Sequence, residues 1–361
     1  MRPSAVPHAR LHHQRLSSAR FTRPDEVVAW LGAVQAQDYP GAKWAVGQRM
    51  RHATDEVVEK AFAEGSILRT HVLRPTWHFV TPADIRWMLE LTAPRVRGAI
   101  GFNCRRMLMD DAMFKRSQKA IVAALRGGRQ LTRDAVRHAI QRAGIATDDV
   151  RLVLILMRAE LDGVICSGAR IGKQFTYALL DERVPRRTAL TRDEALAELT
   201  RRYFTSRGPA TVRDFVWWSG LTAADAKAGI EMMGRRLVRE AIDGTTCWRS
   251  STTQAVTRGP RAVYFLPAYD EYLVAYKDRS AAIDPAFSAD GTNLIFGPTI
   301  VLNGRVVGTW KPVPAKDAVI VTLNPFAPLR GTARRAVLDA ARRYGTFLGK
   351  TVTIASRSSD S

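Results

Sequence analysis

Hydrophobic and polar positions alternate along this chain in a pattern that occurs three times. Each copy has the periodicity of a helix, a turn, two further helices and two short strands. The third copy is the clearest, because threonines stand at the helix starts and Asp243-Gly244, a strong hairpin turn, separates the strands. Its predicted helices are residues 191–206, 211–219 and 222–234, and its predicted strands are residues 237–242 and 245–249. This order predicts a winged helix-turn-helix unit.

Two similar units precede the third one. The second copy has predicted helices at residues 117–125, 132–142 and 147–161, followed by two strands that flank Ser167-Gly168. The first copy is less regular, with helices at residues 23–34 and 54–64, a hairpin of strands 67–73 and 76–81, and a segment, residues 82–91, that packs behind it. We therefore expect three winged-helix units in tandem.

Beyond about residue 258 the pattern changes to alternating strands. Asn303-Gly304 predicts a tight turn between two of them. Predicted strands cover residues 263–266, 294–296, 299–302, 305–310, 319–323 and 351–355, with one helix at residues 332–344. We expect an α+β fold in which a β-barrel-like domain follows the three units. The predicted domains are residues 1–110, which contain the Gln-x-Gln motif discussed below, 111–187, 188–257 and 258–361.

The charge balance predicts a polyanionic partner. Of the 361 residues, 55 are basic and 34 are acidic, which gives a formal net charge of +21 at pH 7. The longest apolar runs, such as residues 152–157, are far too short to span a bilayer, and there is no lipidation signal. Double-stranded DNA is therefore the expected partner, rather than a membrane. An arginine-rich composition also fits a GC-rich genome, in which case the charge says little about function.

The N-terminus and the cysteines indicate the cellular compartment. The first 20 residues lack the apolar stretch of a secretory signal, so we expect a cytoplasmic protein that associates with the bacterial nucleoid when it binds DNA. Cys104, Cys166 and Cys247 are isolated in the sequence, which fits reduced core thiols. Neither the cysteines nor the histidines have the spacing of zinc ligands, so we predict no metal and no cofactor.

Basic residues on the predicted helices and wings are candidates for phosphate contacts. They are Arg133 and Arg137 on a helix of the second unit, Arg170 and Lys173 on its wing, and Arg235, Arg236 and Arg239 in the third unit. Each of them also fits an ordinary solvated surface position. Three DNA-binding units on one chain differ from a repressor that dimerises on a palindrome. We therefore expect a monomer, and an enzyme acting on a lesion rather than a regulator.

A short segment, Gln35-Ala36-Gln37-Asp38, is the main candidate for chemistry. Pro40 disfavours helical backbone at Tyr39, so the helix should be unwinding over residues 35–38, and this segment could then be extended. Residues two apart in extended backbone point to the same side, which would pair the amides of Gln35 and Gln37. An amide donates and accepts hydrogen bonds, and can orient a water molecule without being protonated. Two solvated glutamines at a helix end would have the same spacing, so the spacing alone leaves both interpretations open.

Five segments of the chain resemble the winged-helix DNA glycosylase family, and the resemblance covers nearly the whole chain. They are residues 11–16 (LHHQRL), 34–40 (VQAQDYP), 73–79 (LRPTWHF), 266–272 (LPAYDEY) and 301–310 (VLNGRVVGTW). Gln35-Ala36-Gln37 matches the Gln-x-Gln form of the family's catalytic signature, found in its AlkZ-like branch, whereas the other branch has aspartate at the position of Gln37. The resemblance implies tandem winged helices, a C-terminal β-barrel and removal of alkylated purines, including bulky and interstrand-crosslinked adducts.

The resemblance also implies roles for individual residues. Gln35 and Gln37 would orient the hydrolytic water, and neutral amides suffice because a purine alkylated on a ring nitrogen departs without prior protonation. Candidate contacts to DNA or to the adduct are Arg74, Trp77 and His78 on the first hairpin, and His12 and His13 in a predicted helix. Taken alone, a tryptophan on a strand or a single histidine is more often structural.

Other chemistries are alternatives to hydrolysis by paired amides. Lyase chemistry would need an amine nucleophile, and Lys43 is the one lysine near the motif, so we predict a monofunctional glycosylase that leaves an abasic site. A non-enzymatic DNA-binding protein, such as a transcriptional regulator, is the alternative prediction. A nuclease would need clustered carboxylates for metal, and only Asp270 and Glu271 stand out. We expect these two acids to form a structural ion pair with Arg279.

Overall fold

Three blocks with one order of elements make up most of the fold. A computed structural model describes residues 5–186, 188–253, 262–288 and 294–356, and it has the predicted α+β class. After helix α1 (Val6–His13), each block contains a helix, a short strand, two helices and a two-stranded hairpin. The short strand pairs with the second hairpin strand in the first two blocks. In the third block it is reduced to a single bridge between Ala210 and Trp248.

The first block carries the segment of chemical interest. Its elements are α2 (Pro24–Leu31), β1 (Val34–Gln35), α3 (Tyr39–Gly47), α4 (Asp55–Glu64), β2 (Leu68–His71) and β3 (Trp77–Val80). Helix α3 was not predicted. Pro40 occupies its first turn, where a missing N–H breaks no helical hydrogen bond, so this proline begins a helix. The next residue is Gly41, because a Cβ atom there would collide with the carboxylate of Asp38.

The second and third blocks follow a long connecting helix, α5 (Ile85–Arg106), which extends well beyond the predicted segment 82–91. The second block contains α6 (Asp111–Leu125), β4 (Leu131–Thr132), α7 (Arg133–Arg142), α8 (Asp149–Leu161), β5 (Ile165–Ser167) and β6 (Thr176–Leu179), and α9 (Leu180–Arg183) follows it. The third block contains α10 (Arg192–Arg207), α11 (Val212–Ser219), α12 (Ala223–Met233), β7 (Leu237–Ile242) and β8 (Thr245–Ser250).

The C-terminal region is built on an open five-stranded sheet. Its elements are β9 (Val263–Leu266), α13 (Glu271–Val274), α14 (Pro285–Ser288), β10 (Thr299–Leu302), β11 (Arg305–Pro314), β12 (Ala318–Pro325), α15 (Gly331–Leu348) and β13 (Thr351–Ser356). The strand order is β13-β12-β11-β10-β9, with β12 and β13 parallel. Within the described residues β9 and β13 are the two edges, so this sheet does not close into a barrel. Residues 294–296, predicted as a strand, form a turn instead.

The C-terminal sheet and helix α15 pack against helix α3 of the first block. Trp44 of α3 packs against Tyr344 and Phe347 of α15, with ring centroids 5.2 and 5.0 Å away. The indole Nε1 of Trp44 also donates a hydrogen bond of 2.7 Å to the carbonyl of Phe265 in β9. These contacts fix α3, and with it the extended segment that precedes this helix.

A buried ion pair joins α1, the first block and α13. Arg49 donates to both carboxylate oxygens of Asp270, at 3.0 and 2.9 Å, and also to the carbonyl of Gln14. Both charged side chains are completely buried. The predicted ion pair between Asp270 and Arg279 is therefore wrong. Asp270 pairs with Arg49, and Arg279 donates instead to the carbonyl of Leu273. None of the described helices is both long and apolar enough to cross a membrane.

Candidate active site

The segment from Val34 to Ala36 lies along one edge of the first hairpin, and the chain bends at Gln37. In β1, Val34 pairs with Phe79 and Gln35 pairs with His78. The amide of Ala36 continues this pairing, because it donates a 2.7 Å hydrogen bond to the carbonyl of Trp77. The backbone at Val34 and Gln35 is a strand held by β3, whereas the expectation that Pro40 keeps Tyr39 out of a helix is wrong, because Tyr39 is the first residue of α3.

Gln35 is buried in a polar cluster. Its side chain is 6% exposed, so the alternative of a solvated surface glutamine does not apply to it. Its Oε1 atom accepts a 2.7 Å hydrogen bond from Nη2 of Arg74. Its backbone N–H donates to Oε1 of Glu271 at 3.0 Å. The carbonyl end of this amide is therefore committed to Arg74, which leaves its NH2 group as the end that can donate to a ligand.

Gln37 differs from Gln35 in its exposure. Its side chain is exposed, and its Oε1 atom lies 3.4 Å from the backbone N–H of Trp77, a long hydrogen bond. Between the two glutamines, the carbonyl of Ala36 accepts a 3.0 Å hydrogen bond from Nε of Arg69. The Gln35 amide is thus buried and held by Arg74, whereas the Gln37 amide is exposed to solvent. The backbone between them is held by hydrogen bonds of Ala36 to Trp77 and to Arg69.

Arg74 holds the buried amide in place, and His78 lies against Arg74. Arg74 donates to the carbonyl of Trp218 at 2.6 Å as well as to Gln35, and its Nη2 atom lies 3.4 Å from Nε2 of His78. Burial lowers the pKa of Arg74 to about 10. Burial, and then the charge of Arg74, lower the pKa of His78 well below its usual value of 6.5. His78 is therefore neutral at pH 7, donates from Nδ1 to the Thr76 carbonyl and accepts from Arg74.

Glu271 anchors this cluster from the C-terminal region. Its Oε2 atom accepts from Nη2 of Arg207 at 2.5 Å and from Nε1 of Trp218 at 2.9 Å, while its Oε1 atom accepts from the backbone of Gln35. Glu271 and Arg207 are both completely buried. The predicted partner Arg279 is wrong for this acid as well. Sequence reasoning missed Arg207, and no local signal could have identified it, since Glu271 lies 64 residues away.

A cleft of about 350 Å³ is lined in part by Arg69 and Trp77, the two residues that contact the Ala36 carbonyl and the Gln37 side chain. Six of the residues that line it are Arg69, Trp77, Arg133, Lys173, Phe175 and Tyr177. The structure thus brings together three residues that were predicted separately as DNA contacts, namely Trp77, Arg133 and Lys173. The guanidinium carbon of Arg69 lies 4.2 Å from the ring centroid of Trp77 and 4.4 Å from that of Phe175. Burial lowers the pKa of Arg69 to about 10, so it is protonated at neutral pH.

Other predicted contact residues lie outside this cleft. Arg137 pairs with Asp149, and Arg170 is half-buried against Glu59 and is not an open phosphate contact. The third-block candidates are exposed side chains at the end of α12 and on β7, namely Arg235, Arg236 and Arg239.

The two N-terminal histidines do not lie together on an open face. His13 is buried, and its Nδ1 lies 2.6 Å from the carbonyl of Gly208, so the expectation that it contacts DNA is not supported. His12 is half-buried, and burial lowers its pKa.

Lys43 is held away from a nucleophilic role by two carboxylates. Its ammonium group lies 2.7 Å from Asp55 and 2.7 Å from Glu59, and the side chain is buried on α3. An ammonium group in two ion pairs does not offer the free lone pair that attack on a sugar requires. Within the described residues, no three metal-ligating side chains cluster together.

Comparisons with known proteins show which proteins this chain resembles. The chain is similar in structure to the DNA glycosylase AlkZ of Streptomyces sahachiroi, with a TM-score of 0.79 at 21% identity over 98% of this chain and 99% of that one. A curated relative from the same organism, described as an interstrand DNA cross-link repair glycosylase, is 24% identical over 368 residues, which span 94% of this chain and 95% of the relative.

The family assignment rests on a match along most of the chain. The family model described as "DNA glycosylase AlkZ-like" matches residues 28–347. The chain therefore belongs to the AlkZ-like DNA glycosylase family. The matched region includes the Gln35 to Gln37 segment, the first hairpin and Glu271, which are the parts that the geometry above brings together.

Proposed function

We propose that this DNA glycosylase hydrolyses the N-glycosidic bond of purines alkylated on a ring nitrogen, and that Gln35 and Gln37 orient the attacking water. The observation that carries the proposal is the hydrogen bond that Nη2 of Arg74 donates to the side-chain oxygen Oε1 of Gln35. It fixes one amide so that its NH2 group is the end left to donate, while the exposed amide of Gln37 offers an oxygen whose one hydrogen bond among the described residues is the long one from Trp77. A donor and an acceptor are the two groups needed to hold and aim a water molecule.

Neutral amides fit the chemistry of a cationic leaving group. When water attacks the anomeric carbon, the glycosidic bond breaks and its electron pair neutralises the positive charge of the alkylated purine. The base therefore leaves without a general acid. The attacking water loses its proton to surrounding solvent, because an amide accepts a hydrogen bond but does not take up the proton at neutral pH. Preorganised dipoles lower such a barrier because they are already oriented before the reaction begins.

The repeated blocks supply the DNA-binding surface in this proposal. Their shared order of helix, short strand, two helices and hairpin is that of a winged helix-turn-helix, and we propose three such units within residues 1–110, 111–187 and 188–257. Their exposed arginines and lysines would neutralise phosphates of double-stranded DNA. We propose that the protein acts as a monomer at the nucleoid, and that the open C-terminal sheet is the counterpart of the barrel expected in the family.

The substrate range and the product follow from two further observations. The curated relative is described as a cross-link repair glycosylase, so we propose that bulky and interstrand-crosslinked adducts are among the substrates. Lys43 is engaged by Asp55 and Glu59, which supports a monofunctional enzyme whose product is an abasic site.

The test is the release of 7-methylguanine from duplex DNA by the Gln37→Ala variant. We expect its single-turnover excision rate to fall about a hundredfold or more, as for loss of one preorganised catalytic group, while its affinity for the duplex stays within several-fold. Gln141→Ala, which removes an exposed glutamine from α7, is the matched control. Unchanged excision in Gln37→Ala would refute the assignment. Sequence-specific binding without any base release would favour the regulator instead.

A further inference from the structure

We propose that the cleft beside Gln37 binds a neutral planar aromatic substituent of the damaged base. The proposal rests on the proposed glycosylase function and adds a recognition site for the part of the lesion that is not the purine. The cleft lies between β3 of the first block and α7 and β6 of the second block. Its volume of about 350 Å³ is at the small end of the range for ligand pockets, which suits one or two rings.

The cleft shares its wall with the catalytic segment. Trp77 lines the cleft, and its backbone N–H is the group bonded to Oε1 of Gln37. Arg69 also lines the cleft, and its Nε atom holds the carbonyl of Ala36. A group seated in the cleft therefore contacts two residues that hold the segment on its Gln37 side. Gln35, by contrast, pairs with His78 and points to the opposite face of the sheet from Trp77. A substituent on the reacting base is the part of the substrate that could reach this position.

The lining chemistry favours a planar π system. Trp77, Phe175 and Tyr177 supply three aromatic rings, and the guanidinium group of Arg69 already stacks between the first two. Aromatic rings and guanidinium planes both bind flat unsaturated groups better than saturated groups of equal size. A saturated substituent would gain only the burial of its apolar surface.

The charge of the cleft disfavours the alkylated purine itself as the occupant. Arg69, Arg133 and Lys173 are cationic, and Asp134 is the one carboxylate among the lining residues described. A positively charged purine would meet like charges there, which disfavours its binding. A neutral ring on the substituent avoids this repulsion while the charged purine stays near the amides.

The experiment compares two guanine N7 adducts of matched size, benzyl and cyclohexylmethyl, in the same duplex. We expect the wild-type protein to excise the benzyl adduct about fivefold or more faster under single-turnover conditions, the value expected for one aromatic contact. Tyr177→Leu should bring this ratio close to one. Lys119→Ala, which removes an exposed charge from α6, should keep the wild-type ratio.

A second comparison tests the charge and does not depend on the folding of the tyrosine variant. An N-methylpyridinium substituent is flat like benzyl but cationic, so the wild-type protein should excise it more slowly than the benzyl adduct. Lys173→Glu, at an exposed position of the cleft, should narrow that difference. Equal wild-type rates for benzyl and cyclohexylmethyl adducts, or ratios that the cleft variants leave unchanged, would overturn the proposal.

Failure of the glycosylase assignment would be visible separately. If the wild-type protein releases no base from any of these duplexes, the proposed function falls. The cleft is then tested by binding alone, with 2′-fluorinated duplexes that resist hydrolysis. A preference for the benzyl duplex that Tyr177→Leu removes would support the aromatic site, and equal affinities would overturn it.

Discussion

Replacing Arg74 with methionine tests whether the orientation of the Gln35 amide matters for catalysis. Methionine retains much of the apolar stem but removes the guanidinium group. The lost contacts are the 2.7 Å hydrogen bond to Oε1 of Gln35 and the 2.6 Å hydrogen bond to the carbonyl of Trp218. Without the first of these, the Gln35 amide is free to rotate and to present either end to the water.

The magnitude follows from the strength of a charge-assisted hydrogen bond. Such a bond contributes about 1.5–3 kcal/mol. Because about 1.4 kcal/mol corresponds to a factor of ten in rate, Arg74→Met should slow excision by about 10- to 150-fold. Arg74→Lys should retain part of the rate, because an ammonium group keeps the charge but lacks the planar fork that reaches Gln35 and Trp218 together.

The assay is single-turnover release of 7-methylguanine at saturating protein, with duplex affinity measured separately. The expected defect lies in the rate constant and not in binding, since the contacts of Arg74 are internal. Arg106→Met, an exposed substitution of the same type on α5, is the control for a general loss of positive charge. A rate constant for Arg74→Met equal to that of the wild-type protein would refute the role assigned to this hydrogen bond.

Two more predictions concern titration and Lys43. The low pKa of His78 and the pKa of about 10 of Arg74 imply that neither group titrates between pH 7 and 8.5. The excision rate should therefore be constant over this range and should fall only as Arg74 loses its proton near pH 10. A rate that follows a single ionisation between pH 7 and 8.5 would contradict this prediction. Lys43→Met should lower the free energy of unfolding by about 1–3 kcal/mol in chemical denaturation, between the values for exposed and buried ion pairs. The variant should still excise the base, and borohydride should trap no covalent adduct between DNA and the wild-type protein. A trapped adduct that Lys43→Met abolishes would mean lyase chemistry.

Local turn chemistry made two hairpin turns predictable from sequence, whereas the turn predicted at Ser167-Gly168 is wrong, because Ser167 lies within β5 and the loop covers residues 168–175. The strand predicted at residues 237–242 coincides with β7, and Asp243 and Gly244 adopt positive φ angles of 50° and 73° at the turn. Asp-Gly tolerates positive φ angles at both central turn positions, so the few residues around the turn are enough to predict the hairpin. The turn at Asn303-Gly304 has the same basis, with φ angles of 52° and 82°.

Contacts between distant residues could not be predicted in the same way. Asp270 and Glu271 attracted attention as adjacent acids, but their partners, Arg49 and Arg207, lie 221 and 64 residues away. Among 45 arginines, nothing in the local sequence distinguishes these two from exposed ones. The same holds for the cleft, where Trp77 and Lys173 come from different blocks. Helix α3 was missed for a local reason: a proline can either end a helix or occupy its first turn, and Pro40 does the second.

The unequal burial of the two glutamines is what a water-positioning pair requires. The backbone between them is held by Glu271, by Trp77 and by Arg69, and the buried amide is held by Arg74. Folding has thus already fixed the amide that we propose as the donor, so in this mechanism little reorganisation is left for the reaction itself. A carboxylate in place of Gln35 would pair with Arg74 and present no donor, whereas an amide binds the same arginine and keeps its NH2 group for the ligand. If both amides were buried, water and DNA would have no access, and if both were exposed, neither would be oriented.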